Sequence, residues 1–263
     1  MDINRDNWGH RARIGMFIVG SEAVPEAEWW AMMPADISVH TARVTARAPW
    51  ANWDSEHHDL ELSEDLSRGL KQFASMKLDA IVIGHSSSSF IGGRGWDEAI
   101  IEQLSAGLDD TVAVTTNGLD IFAAINEMKL QRPFLVLPAW FGQTTVEAAL
   151  KYYRDHDVEL AGHLSYDPGP NWRDIPPSEM YPRGAGFDQE VVPLYDQIIA
   201  GCPDDADGVL IAGTGFRCVA IVDALEKSLK RPVISANQAS LWHCLKLGNI
   251  EAKVDGYGRL LSR

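Results

Sequence analysis

Asp79-Ala-Ile-Val-Ile-Gly-His-Ser-Ser-Ser-Ser89 and Asp207-Gly-Val-Leu-Ile-Ala-Gly-Thr-Gly215 decide the reading of this chain. Each runs a short apolar segment into a loop of small residues. Apolar runs bounded by Gly and Ser are the pattern of strands buried on both faces of a parallel sheet. A small-residue loop after such a strand leaves backbone N–H groups uncovered and able to hold an anion. In open α/β sheets ligands bind beyond the carboxyl ends of the strands. Two such loops in two similar halves therefore predict one site between them.

Working outward, the first half alternates strand and helix. Strands are expected at 14–19, 37–44, 80–83 and 112–115, and helices at 25–33, 62–76, 96–106 and 118–128. Leu62, Leu66, Leu70 and Phe73 repeat at helical spacing. The second half has the same order, with strands at 134–137, 158–164, 209–212 and 233–235. Its helices are expected at 145–155, 188–200, 218–229 and 239–247. Arg13-Ile-Gly-Met-Phe-Ile-Val-Gly20 corresponds to Arg132-Pro-Phe-Leu-Val-Leu-Pro-Ala139, and Thr111-Val-Ala-Val-Thr-Thr-Asn117 to Arg231-Pro-Val-Ile-Ser-Ala-Asn237. A repeat of roughly 120 residues is a duplicated domain, not a solenoid. Alternating β and α elements require parallel sheets covered on both faces. The expectation is two similar α/β/α layers about a pseudo-twofold axis, one from 1–117 plus 235–263, the other from 118–234. Two stretches break the pattern: Arg47–Glu61, rich in Trp, Asp and His, and Asp167–Gly186, rich in Pro and Gly. Both read as long surface loops, which either rim a site or merely connect.

The 263 residues suffice for a sizeable core. With 37 acidic against 23 basic residues the formal charge is −14, a surface that repels phosphate backbones and anionic lipid. Nucleic acid and membrane partners are not expected, and a small-molecule substrate is; a homo-oligomer is compatible with the sequence. The three cysteines, Cys202, Cys218 and Cys244, have no CxxC spacing, which argues against a disulfide framework or a structural zinc site. The polar start has no apolar signal-peptide core, and no apolar run has membrane-spanning length. A cytoplasmic location is the expectation.

Several motifs resemble one family. Arg13-Ile-Gly15 with Ser21, Pro25-Glu-Ala-Glu28 and Val39-His-Thr-Ala-Arg-Val44 looks like the opening of maleate cis-trans isomerases. Ser86–Phe90 followed by Ile91-Gly-Gly93 looks like their first active-site loop. Val233-Ile-Ser-Ala-Asn-Gln-Ala-Ser-Leu-Trp-His243 and Gly256-Tyr-Gly-Arg-Leu260 look like their last strand, helix and tail. Arylmalonate decarboxylase shares the outline, and both belong to the aspartate/glutamate racemase superfamily. The resemblance implies two flavodoxin-like domains with a cofactor-free site in the cleft between them.

The family's chemistry uses a thiol, which adds to a double bond or takes a proton from carbon. The resemblance places the two cysteine positions at His85 and Gly213, so both thiols are replaced. The asparagine that helps hold the substrate carboxylate falls at Glu22, and the tyrosine of the second-half strand end at Trp140. Arg217 and Asn237 match family positions near the cleft. An imidazole where a strand meets its loop can act as acid or base. Glu22, at the end of the neighbouring strand, is expected to orient His85 as a carboxylate supports a catalytic imidazole. A carboxylate there would also repel a dicarboxylate by about 1–3 kcal/mol. Ser86 and Ser87 offer hydroxyl and N–H donors for an oxyanion, and Gly213, Thr214 and Gly215 form the opposite loop. Gly213 is expected to leave open the space of the missing sulfur.

Cys218 reads as core filler beyond the cysteine position, and Cys202 and Cys244 receive no role. His57 and His58, with Asp54, Glu56 and Asp59, are too close in sequence to converge on one ion, so no metal is expected. Gly92-Gly-Arg-Gly95 lacks the Lys-Ser/Thr pair of a P-loop, and no cofactor is expected. The leading expectation is hydrolysis or ring opening of a small carbonyl or carboxylate compound by His85 and Glu22. The alternatives are a decarboxylation or cis-trans isomerisation of the family type, with His85 or Cys218 as proton donor, and a non-catalytic ligand-binding protein.

Overall fold

The computed structural model describes residues 8–263. The first half runs β1 (Ala12–Val19), α1 (Val24–Met32), β2 (Ile37–Val44), β3 (Ala51–Asp54), β4 (Asp59–Leu62), α2 (Glu64–Ala74), β5 (Ala80–Ile83), α3 (Ser86–Gly92), α4 (Trp96–Ser105), β6 (Ala113–Thr116) and α5 (Asn117–Met128). The second half runs β7 (Phe134–Leu137), α6 (Gln143–Asp155), β8 (Gly162–Ser165), three short helices α7 (Pro170–Arg173), α8 (Pro177–Met180) and α9 (Ala185–Asp188), then α10 (Val191–Gly201), β9 (Val209–Ile211), α11 (Val219–Leu229), β10 (Val233–Ser235) and α12 (Ala236–Leu247).

Two four-stranded parallel sheets form, ordered β2-β1-β5-β6 and β8-β7-β9-β10. Strand for strand the two orders are the same, so the internal repeat read from the sequence is a repeat of topology. The recurring aspartate before each central strand has a structural task. Asp79 accepts the backbone N–H of Arg13 (2.8 Å), and Asp207 accepts those of Gln131 and Arg132. Each aspartate thus pins the start of the neighbouring strand through donors that the ladder leaves unpaired.

Alternation along the strands loads both faces of each sheet. In β1, Ile14, Met16 and Ile18 face a cluster with Trp29 and Met32 of α1. Phe17 faces the opposite cluster with Leu66 and Phe73 of α2 and Ile100 of α4. The last helix of each half crosses over. Ile121, Ala124 and Ile125 of α5 pack on Leu135, Leu210 and Ile234 of the second sheet. Leu241, Cys244 and Leu245 of α12 pack on the first sheet. At roughly 1.5–3 kcal/mol per fully buried large apolar side chain, the exchanged helices bind the lobes to each other. α5 and α12 also meet directly: Asn117 Nδ2 donates to Ala236 O and Ser240 Oγ (both 2.9 Å), and Asp120 accepts from Ser240 (2.6 Å) and bonds His243 (2.7 Å).

The two irregular stretches are more ordered than the sequence suggested. Residues 47–61 contain most of the β3–β4 hairpin, and 167–186 carry α7, α8 and the start of α9. Helix α2 begins at Glu64 and not Leu62, because Leu62 ends β4 and Ser63 caps the helix by accepting the N–H of Leu66. The strand expected over 158–164 shrinks to Gly162–Ser165, since Val158 N–H closes back on Tyr153 O (3.0 Å). Cys218 is the N-cap of α11, outside the helix proper. No described helix is long and apolar enough to cross a membrane.

Candidate active site

The loops after β1, β5, β7 and β9 converge on a cavity of about 240 Å³ between the lobes. Eight of the nine residues singled out from the sequence line it: Glu22, His85, Ser86, Ser87, Trp140, Gly213, Thr214 and Gly215. Asn237 does not. Its side chain sits behind the second loop, where Nδ2 donates to Thr214 O (2.8 Å) and Glu28 Oε2 (2.7 Å). Glu28 Oε1 in turn accepts the N–H groups of Cys218 and Val219 at the start of α11. Asn237 therefore holds the loop and does not reach the cavity.

Side chains consume several of the donors expected to serve a ligand. Ser86 Oγ donates to Asn117 Oδ1 (2.5 Å) and accepts the N–H of Gly213 (3.2 Å). Thr214 Oγ1 donates to Gly84 O (3.0 Å). These bonds rivet the two small-residue loops across the cleft, so Ser86 and the Gly213 N–H are structural. The N–H groups of Thr214 and Gly215 have no acceptor among the described residues, and both residues line the cavity. Gly213 has φ +100°, and a Cβ there would lie 3.1 Å from Pro138 Cγ. Contrary to expectation, the position is not an empty sulfur slot; Pro138 and Phe141 close it.

The proposed His85–Glu22 partnership does not form. His85 Nδ1 bonds Ser88 Oγ (2.9 Å), and its ring stacks on Trp50 at 4.2 Å and 14°. Ser88 Oγ already accepts the N–H of Trp50 (3.1 Å). Its own hydrogen is then free to bond Nδ1, which places the imidazole proton on Nε2. Burial drives His85 down to about 3, so the ring is neutral. Glu22 goes the other way. It is 6% exposed, Oε2 has no partner, and Arg43 Nη1 reaches only its backbone carbonyl (2.7 Å). Desolvation raises its carboxyl to about 8 despite the pull of Arg43, whose guanidinium is ion-paired to Glu26. At neutral pH the cavity holds a neutral imidazole and a protonated carboxylic acid. The repulsion expected between Glu22 and a substrate carboxylate is accordingly replaced by an available donor.

Two residues of the site were missed. Trp50, the stacking partner of His85, and Tyr181, a cavity wall residue, lie in the two stretches that broke the repeat pattern. Their aromatic character within otherwise polar or Pro/Gly-rich loops was the available signal. Trp140 meets the rings of Tyr181 (5.0 Å) and Phe216 (5.6 Å) edge-on. No cysteine lines the cavity. Cys218 and Cys244 are buried in core clusters with thiols pushed up by desolvation, and Cys202 is half-buried beside Arg231.

Comparison with known proteins follows the same lines. Residues 183–261 match the family model of arylmalonate decarboxylase. The maleate isomerase Iso of Pseudomonas putida S16 superposes with a TM-score of 0.77 at 19% identity, covering 95% of this chain and 98% of that one. The maleate cis-trans isomerase of Nocardia farcinica gives 0.77 at 17% identity, with 95% and 98% covered. Unliganded arylmalonate decarboxylase gives 0.72 at 18% identity, with 96% and 99% covered. The chain has the aspartate/glutamate racemase superfamily fold, in its maleate isomerase and arylmalonate decarboxylase branch. No curated protein matches in sequence. Within this superfamily fold the cavity lies where the two parallel sheets point their carboxyl ends at each other, the position that sheet topology assigns to a ligand.

Proposed function

We propose that this protein is a cofactor-independent lyase of the arylmalonate decarboxylase type, in which Glu22 supplies the proton to carbon. The observation that carries the reading is an acid raised to about 8 in a cavity without a thiol. In the reaction, the bond from the α-carbon to one carboxylate breaks and CO₂ leaves. The electron pair is delocalised onto the retained acyl group as an enediolate. The Oε–H of Glu22 then delivers its proton to the α-carbon, and solvent reprotonates the carboxylate. The free N–H groups of Thr214 and Gly215 and the Nε2–H of neutral His85 are donors for the developing oxyanion. Apolar walls from Trp140 and Phe141 favour loss of charge as CO₂.

Isomerisation fits less well. The Nocardia farcinica isomerase has been captured with a covalently bound succinylcysteine intermediate, and addition of that kind needs a nucleophile this cavity lacks. Hydrolysis has no support: His85 is neutral without a carboxylate partner, and no hydrolase is among the similar proteins reported above. The test is to incubate the protein with a panel of α-aryl and α-alkyl malonates in D₂O and follow the α-carbon by NMR. CO₂ release with one deuteron incorporated is expected, and Glu22→Gln should lower the rate at least ~100-fold, the usual range for losing a general acid. Turnover of esters or lactones alone, with malonates untouched, would return the case to hydrolysis.

A further inference from the structure

Two polar atoms facing this cavity have no protein partner: Oε2 of Glu22 and the hydroxyl of Tyr181. Leaving one buried polar group unpaired costs about 1–3 kcal/mol, so an unpaired pair in one place calls for a physical cause. The two come from different parts of the chain. Glu22 follows β1, whereas Tyr181 is the C-cap of α8, in the segment between β8 and α10. They nevertheless flank a single point. A Cβ built on Gly215 would lie 2.6 Å from Glu22 Oε1 and 2.8 Å from the Tyr181 hydroxyl. The segment carrying Tyr181 is fixed to the β9 loop by Gln189, which donates to Arg217 O (2.7 Å) and accepts from Arg217 N (3.0 Å). No Lys or Arg lines the cavity. An anion held there is met by neutral donors.

We propose that Tyr181 is a substrate-binding residue that sets specificity: its hydroxyl donates to the carboxylate the substrate retains, placing that group beside Glu22. The site then accepts acids that keep one carboxylate, with an aryl or alkyl flank against Trp140 and Phe141. Its volume of about 240 Å³ lies below the ~300–1,000 Å³ of pockets for drug-sized ligands. The inference rests on the reading of Glu22 as a protonated acid. Burial and the neighbouring Glu22 push the Tyr181 phenol far above its ordinary range, so it donates a hydrogen bond and does not surrender its proton. The groups facing this pair are Arg43 with its partner Glu26 from β2 and α1, and neutral His85 from the β5 loop.

Phenylacetate, a monocarboxylate product analogue, is the probe, with binding read by calorimetry on wild type, Tyr181→Phe and Glu22→Gln. Tyr181→Phe should weaken binding about tenfold or more, as expected for losing a hydrogen bond to a charged group. In turnover of an accepted malonate, KM should rise while kcat stays within a few-fold. Its thermal midpoint without ligand should not fall, because the hydroxyl has no protein partner to lose. Glu22→Gln keeps a neutral donor and should bind phenylacetate while losing turnover. Equal affinity of wild type and Tyr181→Phe would overturn the assignment, as would no binding by wild type. If Glu22→Gln keeps full turnover but Tyr181→Phe loses affinity, the proton-donor reading fails while Tyr181 keeps its role.

Discussion

Replacing Glu22 by Gln should stabilise the protein, and by an amount that depends on pH. The folded carboxyl holds its proton up to about pH 8, while an unfolded one releases it near 4.5. Between those values the folded state binds more protons than the unfolded state, so stability falls as pH rises. The loss is absent below about pH 4.5 and complete above pH 8. A shift of this size, at ~1.4 kcal/mol per unit, corresponds to about 4 kcal/mol between pH 5 and pH 9. Gln keeps the shape and a neutral donor but never ionises. The difference in stability between variant and wild type should thus be small at pH 5 and on the order of 4 kcal/mol at pH 9. For a chain of this length that is a difference in thermal midpoint on the order of 10 °C. Thermal unfolding of both proteins across this pH range measures it, and changes at other groups cancel in the comparison. Parallel profiles, or a variant that is less stable at high pH, would refute the argument that Glu22 is buried at a cost.

Three further outcomes follow from the same geometry. Gly215→Ala places a methyl group within 3 Å of Glu22 and Tyr181; it should cost about 1–3 kcal/mol of stability and abolish phenylacetate binding, both read by calorimetry. Cys218→Ser should leave turnover within a few-fold, and thiol-alkylating reagents should not block the native enzyme, since this thiol is 2% exposed and outside the cavity. The rate of the proton-donating step should be flat below about pH 8 and fall roughly tenfold per unit above it, because the acid must be protonated to act; a rise across that range in a stopped-flow profile would contradict the assignment.

Much of the architecture was legible in the sequence because it is written in local patterns. The buried runs 80–83 and 209–211, the recurring Asp79 and Asp207, and the helical spacing of Leu66, Leu70 and Phe73 each report a nearest-neighbour environment. The convergence of Glu22, His85 and the two loops also followed, because parallel sheets fix where strand ends meet. Three things were not legible. Whether His85 and Glu22 touch depends on side-chain direction, and Trp50 from the hairpin occupies the face of the ring. Which residue titrates near neutrality depends on desolvation, which reverses the expected roles by leaving Glu22 without a partner. Tyr181 arrives from a segment whose Pro and Gly content announces turns but not where they lead. The space at Gly213 was misjudged for a similar reason: Pro138 fills it from a strand end far away in sequence.

The central claim is that Glu22 is a neutral acid in the cavity at physiological pH. A carbon-detected NMR titration of protein labelled at the glutamate carboxyls, with Glu22→Gln to assign the resonance, tests it directly. The account predicts a midpoint near 8 for Glu22. A midpoint in the ordinary carboxylate range, near 4.5, would contradict it and remove the proton donor from the proposed reaction.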